Sequence, residues 1–138
     1  MVKLMVDGGA QAVFGSRMVN PRDALAGGMP KWKYVANIAL TKFGNLMLGT
    51  RLTEFHSGLR AYDLGVINGI DIERNSDNFV FDTQIIIQLA DRKIQMREIP
   101  IKTRYFKEAS MIGLRASTRY GLGFVKNCAL YWLGLKEF

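Results

Sequence analysis

The stretch from Pro30 to Gly49 constrains this chain most. Trp32, Val35, Ala36, Ala39, Leu40, Phe43, Leu46 and Met47 recur at three- and four-residue spacing. That period fits a helix and not a strand. Pro30 suits its first turn and Gly49 its end. A helix of this length needs other elements to pack on, and the rest of the chain supplies short ones. Ala12-Val13-Phe14-Gly15-Ser16-Arg17 reads as a buried strand running into a polar turn. Residues 57–62 read as a short strand and 64–68 as a short helix. Asn75-Ser76-Asp77 offers N-caps for a helix over about 79–92. Residues 94–103 read as a strand near a sheet edge, because Pro100 cannot donate to a ladder. A last helix is expected over 114–135. Residues 18–28, with Asn20-Pro21 and Gly27-Gly28, and Tyr105 to Gly113 are expected to be loops. Met1 to Val6 reads as the last turns of a helix stopped by Gly8-Gly9: either a truncated element or a short first helix.

With 138 residues, 49% apolar and 22% charged, the chain supports one folded domain with a real core. Its net charge is +7. Residues 1–69 hold eight Lys/Arg against four Asp/Glu, and residues 70–138 hold eleven against eight, so the excess is spread out. A positive surface favours anionic partners. Cys128 is the only cysteine, which excludes an intrachain disulfide and suits a reducing compartment. With one Cys and one His, a zinc site of the usual Cys/His kind is close to excluded. Met1 to Asp7 lacks the long apolar core of a signal peptide. No run of roughly 18 uncharged apolar residues is present, so no membrane-crossing helix is expected.

Two segments concentrate polar chemistry. Glu54-Phe55-His56-Ser57-Gly58-Leu59-Arg60 crowds a carboxylate, an imidazole, a hydroxyl and a guanidinium together, and Asn78 to Gln84 sets Asp82 in an apolar run. Such groups cost stability unless paired or used. Each has a plain alternative. Glu54 and Arg60 can be an ion pair bracing a turn, with Ser57-Gly58 as turn chemistry. His56 can be structural or an acid/base group. Asp82 is either a first-turn acid stabilised by the helix dipole or a carboxylate facing a cleft. Arg17, at the end of a strand, can fork onto phosphate oxygens or pair with a surface acid. Lys102, Arg104 and Lys107, with Ser110 behind them, can hold an anion or form a solvated face. The last helix mixes aromatics with Arg115, Arg119 and Lys126, so it packs on the core or lies in a membrane interface.

In order, these segments resemble the C-terminal part of a glycosyltransferase family 2 catalytic domain of the dolichol- or polyprenol-phosphate sugar (mannosyl) transferase type. Residues 12–17 resemble its strand ending in Gly-Ser-Arg, and residues 54–62 its Asp-x-x-Ser-Gly-Phe-Arg-Ala segment. Residues 79–84 resemble its Phe-x-Phe-Asp/Glu stretch, and residues 98–110 its Glu-Val-Pro strand with the loop after it. The match covers about residues 1–113. It implies an α/β fold of the GT-A type, a mixed sheet flanked by helices. Residues 1–113 would be the acceptor side, and 114–138 an amphipathic helix at the membrane interface. It implies transfer of a hexose from a nucleotide sugar to a lipid-linked polyprenyl phosphate with inversion, in cell-envelope glycan synthesis.

The family's Asp-x-Asp motif, which binds the donor and a divalent cation (Mg or Mn), normally precedes the matched region. No Asp-x-Asp stands before Phe14, and Asp71-Ile72-Glu73 lies at the wrong place in the order and reads as surface. The donor half is therefore expected to be missing, with no metal bound by this chain and no transfer by the chain alone. The resemblance implies Asp82 and His56 as catalytic groups. It implies Arg17, Ser57, Arg60, Lys107 and Ser110 at the acceptor phosphate, with Glu54 and Arg104 in support. Partners are a nucleotide sugar, a lipid phosphate and a membrane surface, not nucleic acid; a homo-oligomer stays open. The implied location is cytoplasmic, peripheral at the inner membrane face. Glu54 stands for the family's Asp, Leu59 for Phe, and Lys107-Glu108 for Arg and Gly. The alternative is a non-catalytic fragment that binds membranes or anions.

Overall fold

The computed structural model of the chain describes residues 1–78, 80–105 and 113–135. After a five-residue helix α1 (Val2–Val6), strand β1 (Ala12–Ser16) forms the centre of a three-stranded sheet. β2 (Arg60–Tyr62) pairs antiparallel to it, with Phe14 opposite Arg60. β3 (Met96–Pro100) pairs in parallel, from Ala12 opposite Met96 to Ser16 opposite Pro100. All five residues of β1 are buried, which is why its sequence is a continuous apolar run and not an alternating one. β3 lies at a sheet edge and ends on Pro100, where the missing N–H costs no ladder bond. The result is an α/β fold with a small mixed sheet flanked by helices.

The loop expected over 18–28 contains a helix, α2 (Pro21–Ala26). Pro21 sits in its first turn and Asp23 adds an acid there, so the apparent turn signal Asn20-Pro21 is a helix start. Gly27 and Gly28 end it, and the strap at Thr103–Tyr105 passes against them. A Cβ on Gly27 would collide with the Thr103 carbonyl oxygen. The expected caps Asn75-Ser76-Asp77 do not cap the next long helix. α5 (Phe81–Asp91) starts later, on Val80, and Ser76 instead donates from its N and Oγ to Gln84 Oε1. The short helix α4 (Leu64–Gly69) is capped by Asp63, whose carboxylate accepts from the N–H of Gly65 and Val66, a contact worth about 1 kcal/mol. Asp71-Ile72-Glu73 falls at a single 3-10 turn (Ile72–Arg74), with both acids exposed.

The long helix α3 (Lys31–Leu48) lies where the period puts it and ends on Gly49 at φ 64°. An amphipathic helix ordinarily turns its apolar stripe to the core; α3 packs only part of its stripe there, Leu40, Phe43 and Met47. Its buried residues are Asn37, Thr41, Gly44 and Leu48, while Trp32, Val35 and Leu46 are exposed. Polar anchors set this facing. Asn37 donates to Glu54 (2.8 Å), Thr41 donates to Asn37 (3.2 Å), and Asn45 donates to the Leu52 carbonyl (2.7 Å). Gly44 completes it, because a Cβ there would come within 2.6 Å of the Phe124 ring.

α6 (Leu114–Trp132) packs along α3 and against α5. Phe124 and Cys128 enter the same core as Phe14, Phe55 and Ile85 to Ile87, and Phe55 meets Phe124 edge to face at 5.4 Å. Burial pushes the Cys128 thiol up to about 12, so it is an inert core group. Among the described residues no helix is long and apolar enough to cross a membrane.

Candidate functional site

β1 delivers Ser16 and Arg17 to the point where the chain leaves the sheet. Ser16 Oγ accepts from the Met18 N–H (3.0 Å) and shares a hydrogen bond with Thr53 Oγ1 (2.7 Å). This turns Arg17 toward residues 53–56. Its guanidinium meets the wholly buried Glu54 carboxylate through Nη2 and through Nε (2.9 Å), and its backbone N–H donates to the same carboxylate at 2.8 Å. Nη1 donates to Tyr105 Oη. Burial works against the Arg17 cation, but Glu54 and Tyr105 together more than offset it and hold the pKa above its ordinary value. Of the alternatives the sequence left open, the Glu54–Arg60 pair gives way: Glu54 pairs with Arg17, 37 residues away in sequence.

Glu98, of the Glu-Ile-Pro strand, fixes the segment from the other side. Its carboxylate accepts from the N–H of Thr53 (2.7 Å) and Glu54 (3.1 Å) and from Thr53 Oγ1 (2.9 Å). Burial raises its pKa against the pull of these donors. Glu98, Asn37, Thr53 and Tyr105 complete a polar frame that sequence reasoning did not assign. The signal available for Glu98 was its acid in a strand of otherwise apolar alternation. Asn37 gave none beyond being a polar residue on a helix.

Arg60 is a brace. Its Nε donates to the Ser57 carbonyl (2.9 Å), Nη1 to the Asp82 carbonyl (3.0 Å) and Nη2 to the Phe55 carbonyl (3.0 Å). Its side chain is buried and also lies 3.4 Å from the Asp82 carboxylate, which stays 47% exposed. The guanidinium therefore ties the 55–57 segment to the first turn of α5, with most of its fork already engaged. Asp82 is a first-turn acid of α5 with an exposed carboxylate.

His56 Nδ1 and Tyr120 Oη share a hydrogen bond of 2.7 Å, and the two rings meet edge to face. Its Nε2 is buried without a partner, as is Ser57 Oγ. Burial lowers the His56 pKa to about 4 and pushes Tyr120 up to about 12, so both are neutral near pH 7. A depressed histidine stabilises the fold above its unfolded pKa of 6.5, and this contribution is lost as pH falls through about 4. The loss is on the order of 3 kcal/mol. His56→Gln is therefore expected to show a shallower fall in unfolding free energy between pH 6.5 and 4 than the wild type, measured by urea titration at each pH.

Arg104 and Lys102 are exposed on the strap after β3. Lys107 and Ser110 lie outside the described residues, as does Phe79. Among the described residues no group of three or more His, Cys, Asp or Glu side chains could hold a metal ion. Glu54 is consumed by Arg17 and Asn37, and Asp82 faces Arg60, so these residues do not fit the divalent cation that the resemblance implies. A groove of about 810 Å³ runs between residues 48–52 and 90–98 and is lined by none of Arg17, His56, Ser57, Arg60 or Asp82. The arrangement has a wall built on the Arg17–Glu54 pair, one exposed carboxylate at Asp82, and buried polar atoms without a partner at His56 and Ser57.

The chain is similar to proteins of three archaea. It is 28% identical over 124 residues to an uncharacterized protein of Methanocaldococcus jannaschii, covering 90% of this chain and 50% of that protein. It is 27% identical over 105 residues to the UDP-N-acetylglucosamine–dolichyl-phosphate N-acetylglucosaminyltransferase of Methanococcus voltae, covering 76% of this chain and 41% of the relative. It is 28% identical over 102 residues to the low-salt glycan biosynthesis hexosyltransferase Agl6 of Haloferax volcanii, covering 73% and 24%. The chain thus spans half or less of the length of each of these relatives. No family model and no solved structure matches it.

Proposed function

We propose that this chain is the acceptor-side part of a family 2 glycosyltransferase of the GT-A type, one that moves a hexose from a nucleotide sugar to a polyprenyl phosphate with inversion. One observation carries the reading. The residues of the four resembling segments converge on a single frame, Arg17–Glu54–Glu98 and Arg60–Asp82. The similarity to two proteins named as sugar transferases, one of them for dolichyl phosphate, supports it. In this reading the nucleotide, the sugar and a divalent Mg or Mn cation are held by the part of the relatives' length that this chain does not span. The chain alone carries out no transfer.

A phosphate acceptor is already ionised near neutral pH, so the site needs charge and orientation more than a strong base. Asp82, exposed and steadied by Arg60, is the group that orients the acceptor. Arg17 presents its remaining edge beside Tyr105. Neutral His56 and Ser57 supply hydrogen-bonding groups and no charge. Lys107 and Ser110 meet the phosphate, with Arg104 in support. Residues 114–138 rest on the inner face of the membrane.

Calorimetric titration of the chain with farnesyl phosphate and with farnesol tests this. Binding is expected for the phosphate and not for the alcohol, with dihexanoyl phosphatidylglycerol failing to displace it. Lys107→Gln is expected to weaken it about tenfold through loss of a charge-assisted contact. Equal affinity for farnesol, or displacement by the short phospholipid, would point to the non-catalytic membrane- or anion-binding fragment instead.

A further inference from the structure

One edge of Arg17 ends on a neutral group. Glu54 takes Nε and Nη2, and Nη1 donates to the Tyr105 hydroxyl. A phenol oxygen that accepts this bond still has its own proton to give. The fold fixes the hydroxyl from behind. The Tyr105 N–H donates to the Gly27 carbonyl at 2.8 Å. Gly27 has no Cβ to strike the Thr103 carbonyl, and Gly28 takes φ 92° beside the Tyr105 carbonyl. The Tyr105 ring packs on a small core of Met18, Ala24 and Met29, separate from the main one. Its hydroxyl end stands where an anion can arrive. The Arg17 side chain is 19% exposed, Tyr105 is half-buried, and Lys102 and Arg104 are exposed on the same strap. Arg17 and Glu54 cancel in charge, so these two cations supply the attraction from the strap.

We infer that Tyr105 is a further binding residue of this site, its hydroxyl accepting from Arg17 and donating to the phosphate monoester of the acceptor. The Arg17 cation polarises the phenol and makes its O–H a stronger donor. The strap and the Gly27–Gly28 turn are the elements that aim it. The inference rests on the proposed function and adds to it a neutral, directed donor. The exposed cations of the strap do not replace it, because an ammonium supplies charge on a flexible stem where a seated phenol supplies one fixed bond. A phenol that merely plugged Nη1 would compete with the phosphate for that edge. The two roles predict opposite signs when the hydroxyl is removed.

Calorimetric titration of Tyr105→Phe with farnesyl phosphate separates them. The ring and its packing stay, and only the hydroxyl goes. Affinity is expected to fall about tenfold through loss of one charge-assisted bond, with the far-UV circular dichroism unchanged. Tyr34→Phe, beside the same small core, is expected to leave affinity unchanged. Gly27→Ala is expected to push the strap away and weaken binding, and to add nothing in the Tyr105→Phe background. In the chain carrying tyrosine labelled at Cζ, the resonance that Tyr105→Phe removes is expected to move with farnesyl phosphate and to stay in place with farnesol. Unchanged or raised affinity in Tyr105→Phe would overturn the inference and leave the proposed function standing. A wild type that does not bind farnesyl phosphate would overturn both.

Discussion

Glu54→Gln is expected to destabilise the fold by about 3–5 kcal/mol, the cost of stranding a buried charge. The Glu54 side chain is wholly buried and accepts from Arg17 at its backbone and guanidinium and from Asn37. An amide keeps one acceptor but removes the charge that holds the Arg17 cation in place. Replacing both partners, Arg17→Met with Glu54→Met, is expected to recover more than half of the loss, because no lone charge then remains buried. Urea unfolding of the wild type, Arg17→Met, Glu54→Met and the double variant measures the coupling. A Glu54→Gln protein within 1 kcal/mol of the wild type would mean that the pair is solvated and does not frame the site.

Arg60→Ala is expected to cost about 3 kcal/mol, because it strips three carbonyls, those of Phe55, Ser57 and Asp82, of their donor at once. Lysine is expected not to rescue it, since a single ammonium cannot reproduce a planar fork to three oxygens. This separates a brace from a phosphate holder. A brace loses stability first, with farnesyl phosphate affinity falling only in proportion to unfolding. A phosphate holder would lose affinity with stability kept. Chemical denaturation and calorimetry on Arg60→Lys read the two independently.

What the sequence revealed depended on the range of the interaction. β1, α3 and α6 were legible because apolar period is local and strong in Ala12 to Phe14, Trp32 to Met47 and Leu122 to Leu133. The facing of α3 was not. Asn37, Thr41 and Asn45 turn it by hydrogen bonds to Glu54 and Leu52, partners that period cannot name. α2 was hidden because Asn20-Pro21 is equally a turn and a helix start. At the site, the residue types were visible but their pairing was not. Spacing allows Glu54 to pair with Arg60, six positions on. The parallel pairing of β1 and β3, with Ser16 bonded to Thr53, instead brings Arg17 to Glu54. Arg60's partners are backbone carbonyls, which have no signature in sequence.

The central claim is that the frame around Asp82 receives a polyprenyl phosphate. Amide chemical-shift mapping on the ¹⁵N-labelled chain tests it most directly. On addition of farnesyl phosphate, shifts are expected at Arg17, His56, Ser57 and Asp82, with those at Asp71, Arg74 and Arg92 around the small cavity beside Tyr131 unmoved. Shifts confined to the exposed faces of α3 and α6, or equal shifts with farnesol, would contradict it.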